Sequence, residues 1–304
     1  MNATREKIGF VGIGAMGAPM AGHLAKASHR LVVFDADGSR ARSFAAAHQA
    51  EIAPDLAALG RACETVITML PDGKIVRRVL CGENDDFRDG VAAGLEAGAV
   101  VIDMSSSSPL GTRELGALLE SRGVKLIDAP VSGGVRRALT AELTIMAGGE
   151  QAVFDRCRPL LEKMGTQIFH AGPLGAGHAI KALNNYVSAA GLVAACEAVI
   201  AGERFGLDPG TVVDILNAST GMNNTTKVKV KQFMLSGAFN AGFSIGLMAK
   251  DVRTALEIVQ ATHTPPLLAE PCARIWDDAA ARLGAAADHT AMFSFLAGLP
   301  QNGE

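Results

Sequence analysis

The feature that most restricts the fold lies near the start of the chain. Lys7-Ile-Gly-Phe-Val11 is a short apolar run that reads as a strand. It is followed at once by Gly12-Ile-Gly-Ala-Met-Gly17 and then by a helical pattern. Three glycines in the order G-x-G-x-x-G, between a strand and a helix, form the fingerprint of a dinucleotide-binding turn. Gly12 permits the tight turn, Gly14 lets a pyrophosphate approach the backbone, and Gly17 lets the helix pack close to the strand. The helix N-terminus then faces the phosphates with its unpaired N–H groups. The whole loop, Gly12, Ile13, Gly14, Ala15, Met16 and Gly17, is therefore expected to line a cofactor. A second strand, Arg30-Leu-Val-Val-Phe34, ends in Asp35, 23 residues beyond Gly12. That is close to the spacing of a carboxylate that accepts the adenosine ribose hydroxyls and repels a 2′-phosphate, so NAD is expected over NADP. Arg40 and Arg42 follow closely enough to soften the preference.

Strand and helix patterns go on alternating. Glu64–Leu70 reads as a third strand, stopped by Pro71-Asp72-Gly73. Gly98–Asp103 runs into a row of serines ending at Pro109, and Val124–Asp128 leads into Ala129-Pro-Val-Ser-Gly-Gly134. Leu143–Ala147 and Gln167–His170 supply further strands around a helix at Gln151–Met164. This order predicts an α/β fold with a doubly wound sheet, whose ligand loops lie at the carboxyl ends of the strands. Downstream of Gly177 as far as Arg204 the chain reads as one long helix. Beyond Asp208 only helical periodicity remains, with helices expected at about Pro209–Ala218, Phe243–Thr262, Leu267–Leu283 and His289–Leu296. Thr220–Thr226 reads as a polar loop. The expected organisation is a dinucleotide-binding domain at 1–172 and an all-helical domain at 173–304, sharing the helix of about 177–204.

Within that helix, Lys181 is the only fully charged side chain between Ala171 and Cys196. An ammonium in so apolar a setting is costly unless it is paired. It is either a lysine whose stem runs along a core helix with its head in water or a chemical group. Asn184 and Asn185, three and four residues on, can share its helical face.

Composition excludes several classes. Of 304 residues 49% are hydrophobic, 19% charged and 5% aromatic, which suits a globular enzyme with closely packed helices. A net charge of −3 gives no basic footprint for nucleic acid. Five cysteines without a CxxC pair fit a reducing, cytoplasmic compartment and no disulfide framework. The seven histidines show no metal-ligand spacing, and no metal is expected. The chain does not open like a signal peptide, since Arg5, Glu6 and Lys7 precede the first strand. With Lys181, Asn184 and Asn185 inside it, the long apolar helix reads as a core helix and not a membrane span.

Four stretches together, Gly12–Met20, Asp128–Gly134, Gly175–Asn185 and Lys250-Asp251, resemble the β-hydroxyacid dehydrogenase family, typified by 3-hydroxyisobutyrate dehydrogenase and tartronate semialdehyde reductase. The likeness covers nearly the whole chain. It implies an NAD(P)-dependent oxidoreductase, NAD preferred, that moves a hydride to or from a small β-hydroxy acid or its semialdehyde. In that resemblance Lys181 matches the catalytic lysine. It protonates the alkoxide in reduction and takes the hydroxyl proton in oxidation, which requires the amine to titrate below the roughly 10.4 of a free lysine. Asn185, rather than Asn184, matches a helper that orients the lysine or the substrate oxygen. Ser132, Gly133 and Gly134 match the turn that binds the substrate carboxylate, a hydroxyl beside consecutive N–H groups. Leu70 and Pro71 match the loop flanking adenosine. Ser106 matches a threonine at the nicotinamide ribose, with its neighbouring serines one position away. Lys250 matches a lysine near the nicotinamide, or else is a helix lysine paired with Asp251.

Two departures bear on the substrate. The family usually carries glycine at the position of Ala141, and often an arginine at that of Met222. If that arginine reads an acidic end, Met222 points to a less polar substrate, with Asn223 and Asn224 as the polar groups nearby. Lys181 argues against an imine reductase, and intact motifs argue against a silent cofactor-binding interaction module. Asn184-Asn185 and the shorter chain argue against a 6-phosphogluconate dehydrogenase. The apolar helical half predicts a homodimer or homotetramer.

Overall fold

The computed structural model describes residues 7–299, which divide into two compact units, one up to Lys181 and one from Ala182 on. The division falls inside a single helix.

The first unit is built on nine strands: β1 (Lys7–Val11), β2 (Arg30–Phe34), β3 (Glu51–Ile52), β4 (Thr65–Thr68), β5 (Val100–Asp103), β6 (Lys125–Asp128), β7 (Val131–Ser132), β8 (Leu143–Gly148) and β9 (Gly165–Gly172). Their order is β3-β2-β1-β4-β5-β6-β8-β7, with β9 pairing β8. β3, β2, β1, β4, β5 and β6 are mutually parallel, so their carboxyl ends share one edge, while β8 runs antiparallel to β6 and β7. The strand order reverses between β1 and β4, the point where doubly wound sheets bind nucleotides. The two-residue strands β3 and β7 carry too few side chains to show any period, and the sequence pattern missed them.

The helices of this unit are α1 (Gly17–Lys26), α2 (Gly38–His48), α3 (Leu56–Ala62), α4 (Gly73–Cys81), α5 (Pro109–Glu120), α6 (Gly134–Leu139) and α7 (Gln151–Leu161). Side chains alternate between the faces of a strand, and here that alternation feeds two cores. Ile8, Phe10, Val33, Ile67 and Ile102 pack with Met20 and Leu24 of α1 and Phe154 of α7. Val11, Val32, Val66 and Val101 point the other way, onto Leu59 of α3, Leu80 of α4 and Leu119 of α5.

α8 (Ala176–Arg204) begins in the first unit and continues through the second, one residue longer at its start than the sequence pattern implied. The second unit adds α9 (Pro209–Asn217), a π-helix at Thr225–Leu235, α10 (Ile245–Ala261), α11 (Ala269–Leu283) and α12 (Met292–Ala297). Within this unit Leu192, Cys196 and Val199 of α8 are buried with Met248 and Val252 of α10 and Trp276 of α11. Among the described residues α8 is the helix long and apolar enough to cross a membrane, and these buried side chains belong to a helical core. The π-helix takes Thr225 and Thr226 out of the expected polar loop. Asn223 starts it, its Oδ1 accepting from the backbone N–H groups of Thr225 (2.8 Å) and Thr226 (3.0 Å).

Candidate active site

The Gly12–Gly17 loop leaves β1 at the strand-order reversal. Gly12 has φ +98°, and a Cβ there would sit 2.3 Å from the Met69 carbonyl oxygen. At Gly17 a Cβ would lie 1.8 Å from the Gly12 oxygen. Both positions exclude any side chain, because two backbone segments touch there. Gly14 differs: a Cβ would find only an Arg40 nitrogen at 3.8 Å. Space is kept open over the loop at the position where a pyrophosphate approaches. α1 also starts without a side-chain cap, leaving its first N–H groups for an anion. The donor set and the open face fit a dinucleotide.

Asp35, at the end of β2, accepts hydrogen bonds from the N–H of Ile13 (2.7 Å, Oδ2) and of Asp37 (2.8 Å, Oδ1). It braces the glycine loop from the end of β2. Leu70 and Pro71 follow β4, and the Leu70 N–H donates to Ser105 Oγ (2.9 Å). The serine row after β5 is sorted by burial. Ser105 and Ser107 are turned inward, the Ser105 N–H and the Ser107 hydroxyl each donating to Asp103 (3.0 Å). Ser106 between them is half-exposed. After β6 comes the Ser132-Gly133-Gly134 turn, whose glycines adopt φ +127° and +64°.

Lys181 is half-buried on α8, in the second turn after an anchored start. Asp128, fully buried at the end of β6, accepts from the N–H of Gly175 (Oδ1, 2.7 Å) and of His178 (Oδ2, 2.7 Å). Burial pushes its carboxyl above the usual range, against the opposing pull of His178 and the two amides. Gly177 makes the approach possible, since a Cβ there would meet the Met146 oxygen at 2.1 Å. The glycine loop, the Ser132-Gly133-Gly134 turn and the helix bearing Lys181 thus all start from the carboxyl edge of one sheet.

In the second unit, Asn185 is buried and Asn184 exposed, which separates the two candidates. Asn185 Nδ2 donates to Asp251 Oδ2 (2.6 Å), and Asn184 Nδ2 donates to Asn185 Oδ1 (3.1 Å). Asp251 is itself buried and lies 3.6 Å from Lys250 Nζ. Lys250 therefore pairs with Asp251, a pairing open to a lysine in either role. The sequence reading saw Asp251 only as that partner and missed its hold on Asn185. It also gave no role to Asp103, Thr112, Asp128 or His178. The acids at strand ends were the available signal. Asn223 is spent on structure: beyond its π-helix contacts, its Nδ2 donates to the Gly191 carbonyl (3.2 Å). Met222 is half exposed.

Comparison with known proteins decides the family. Residues 7–172 match the NAD-binding domain of 6-phosphogluconate dehydrogenase, and residues 175–296 match the NAD-binding domain of NADP-dependent 3-hydroxyisobutyrate dehydrogenase. The chain belongs to the β-hydroxyacid dehydrogenase family. It is 36% identical over 259 residues to 2-(hydroxymethyl)glutarate dehydrogenase of Eubacterium barkeri, covering 85% of this chain and 84% of that one. Against 3-sulfolactaldehyde reductase of Escherichia coli it is 34% identical over 280 residues, 90% of each chain. The solved structure of Mycobacterium tuberculosis 3-hydroxyisobutyrate dehydrogenase with L-serine superposes with a TM-score of 0.87 at 36% identity, over 96% of this chain and 99% of that one. This β-hydroxyacid dehydrogenase is an NAD(P)-dependent oxidoreductase acting on a CH–OH group. Imine reductases share the fold at 15% and 18% identity, which carries no further than the fold.

Proposed function

We propose that this dehydrogenase interconverts a small acid carrying a primary alcohol β to its carboxylate with the corresponding semialdehyde, with Lys181 as general acid and base. The observation that carries the reading is the placement of Lys181. It is half-buried in the second turn of a helix whose first turn is bonded to the end of β6, on the edge that holds the cofactor loop. Relatives named for 3-hydroxyisobutyrate, 2-(hydroxymethyl)glutarate and L-serine share the unit HOCH2–CH–COO⁻. We assign that unit to this chain's substrate, with an uncharged group on the central carbon because Met222 stands where relatives often carry arginine.

The Gly12–Gly17 loop and the α1 N-terminus would hold the pyrophosphate, Asp35 the adenosine ribose, Leu70 and Pro71 the adenosine side, and Ser106 and Lys250 the nicotinamide end. The bound nicotinamide supplies or accepts the hydride. Ser132 Oγ and the N–H groups of Gly133 and Gly134 hold the carboxylate. In oxidation the neutral Lys181 amine takes the hydroxyl proton, leaving an aldehyde and an ammonium. In reduction the ammonium returns that proton to the carbonyl oxygen. Asn185, its amide fixed by Asp251, orients the reacting oxygen. NAD is preferred over NADP, supported by the carboxylate of Asp35. The five cysteines are buried and form no disulfide among the described residues, which supports a cytoplasmic protein. The net charge of −3 supports neither nucleic acid nor membrane as a partner.

The test is a panel of β-hydroxy acids and semialdehydes followed by reduced-cofactor absorbance, with Lys181→Ala beside the native enzyme. Lys181→Ala is expected to lower kcat by roughly 10²–10⁴-fold, the scale of a lost general acid–base, with cofactor affinity retained. Turnover above about a tenth of native removes the lysine from the chemistry.

A further inference from the structure

The start of α8 is held by more than Asp128. The His178 side chain is almost fully buried, at 1% exposure. Its Nε2 lies 3.1 Å from the Ser105 carbonyl oxygen, which can only accept, so Nε2 carries the proton. Its Nδ1 lies 2.8 Å from the Thr112 hydroxyl of α5. Two buried carboxylates flank the ring, Asp103 Oδ2 at 3.7 Å from Nε2 and Asp128 Oδ2 at 3.6 Å from Nδ1. Asp103 meanwhile accepts from the Thr68 hydroxyl (2.9 Å), the Ser105 N–H and the Ser107 hydroxyl. One imidazole thus joins the ends of β5 and β6, α5, the serine row beside Ser106 and the first turns of the helix bearing Lys181. His178 and Lys181 are three residues apart, hence neighbours on one helical face.

We propose that His178 is a positioning residue for Lys181. Its two hydrogen bonds fix the rotation and height of the first two turns of α8 against the serine row. The Lys181 amine is thereby kept in register with the serine row, to which the nicotinamide end of the cofactor is assigned. Asp128 holds the helix by its backbone amides and flanks the ring, whereas the His178 side chain ties it to the loop after β5. A buried polar network is fully satisfied or costly, and this one spends its groups where displacement of the lysine by a fraction of an ångström would be felt in the rate. The inference rests on the acid–base reading of Lys181.

The test is a double-mutant cycle with a conservative rescue. His178→Leu removes both hydrogen bonds and is expected to lower kcat by about 10²-fold, the scale of a misplaced catalytic group, with substrate KM and NADH affinity unchanged. His178→Gln offers one donor and one acceptor in a similar plane and is expected to stay close to native turnover. Lys181→Ala/His178→Leu is expected to be no slower than Lys181→Ala, because a residue acting through the lysine has nothing left to act on. Losses that multiply instead, or a glutamine variant as slow as the leucine one, overturn the proposal. If His178→Leu does not fold, Thr112→Val removes the hydroxyl facing Nδ1, together with its hydrogen bond to the Ser108 carbonyl (3.0 Å). A few-fold loss of kcat at native melting temperature supports the proposal there, and full turnover overturns it. If Lys181→Ala itself retains turnover, the acid–base reading fails separately. Amide exchange at Ala179–Ala182 in His178→Leu then reads the anchoring alone: faster exchange upholds it and unchanged exchange overturns it.

Discussion

Asp35 accepts two backbone amides and still presents its outer lone pairs at the end of β2. Arg40, one of the two arginines that follow β2, pairs with Asp37 at 3.4 Å. NAD is therefore expected to exceed NADP in kcat/KM, and Asp35→Ser to narrow the gap. Equal values for the native enzyme would refute the assignment and turn attention to Arg40. Ala141 shows what a departure from the family pattern does to a backbone. It sits in the left-handed region at φ +56°, where a Cβ crowds the following carbonyl by roughly 1–2 kcal/mol. Glycine avoids that strain but loses more entropy on folding, about 0.5–1 kcal/mol. Ala141→Gly is expected to stabilise the fold by the difference, about 0.5–1 kcal/mol, read from urea midpoints. A lower midpoint would show that the strain is relieved locally.

Between α11 and α12 the segment around Asp288 and His289 clamps the start of α10. Asp288 Oδ2 accepts from the Gly242 N–H (2.7 Å), and the His289 Nδ1 donates to the Phe243 carbonyl (3.0 Å). Burial pushes His289 down to about 4, helped by the Lys229 cation and opposed by the Asp288 carboxylate. The unfolded histidine titrates near 6.5, so it binds a proton that the folded one refuses. Stability from this group is complete above about pH 6.5 and falls as pH drops toward 4, by about 3 kcal/mol in all. Thermal melts from pH 7 to 4.5 are expected to steepen below 6.5, and His289→Gln to flatten that slope. An unchanged slope in the variant would mean other groups carry the acid loss. At the start of α8, the close contact of Gly177 with β8 and the acceptor Asp128 do the equivalent work for Lys181.

At the scale of the molecule, the helical unit leaves large apolar side chains in water. Val187 of α8 is 67% exposed, Phe205 just beyond it 85% and Ile215 of α9 60%. These side chains are expected to be covered on association with a second copy. Light scattering at micromolar concentration is expected to give the mass of a dimer or tetramer, and Phe205→Asp to reduce it. A monomer mass for the native chain would contradict this.

The doubly wound sheet was legible because its evidence is local. Strand and helix periods, glycines at fixed offsets and an acid at the end of β2 are all readable within about thirty residues. So were the start of the cofactor loop and the isolation of Lys181 in an apolar helix. The two-residue strands and the π-helix were not, since neither leaves a period in the sequence. What only the tertiary structure decided were contacts between residues far apart in the chain. Asp128 reaches across to Gly175 and His178, His178 to Ser105 and Thr112, and Asn185 to Asp251. Residue types alone cannot assign such partners, because a buried carboxylate or imidazole needs hydrogen bonds whose identity the packing chooses. The same packing turned Asn223 inward to start the π-helix and left Asn184 exposed while burying Asn185.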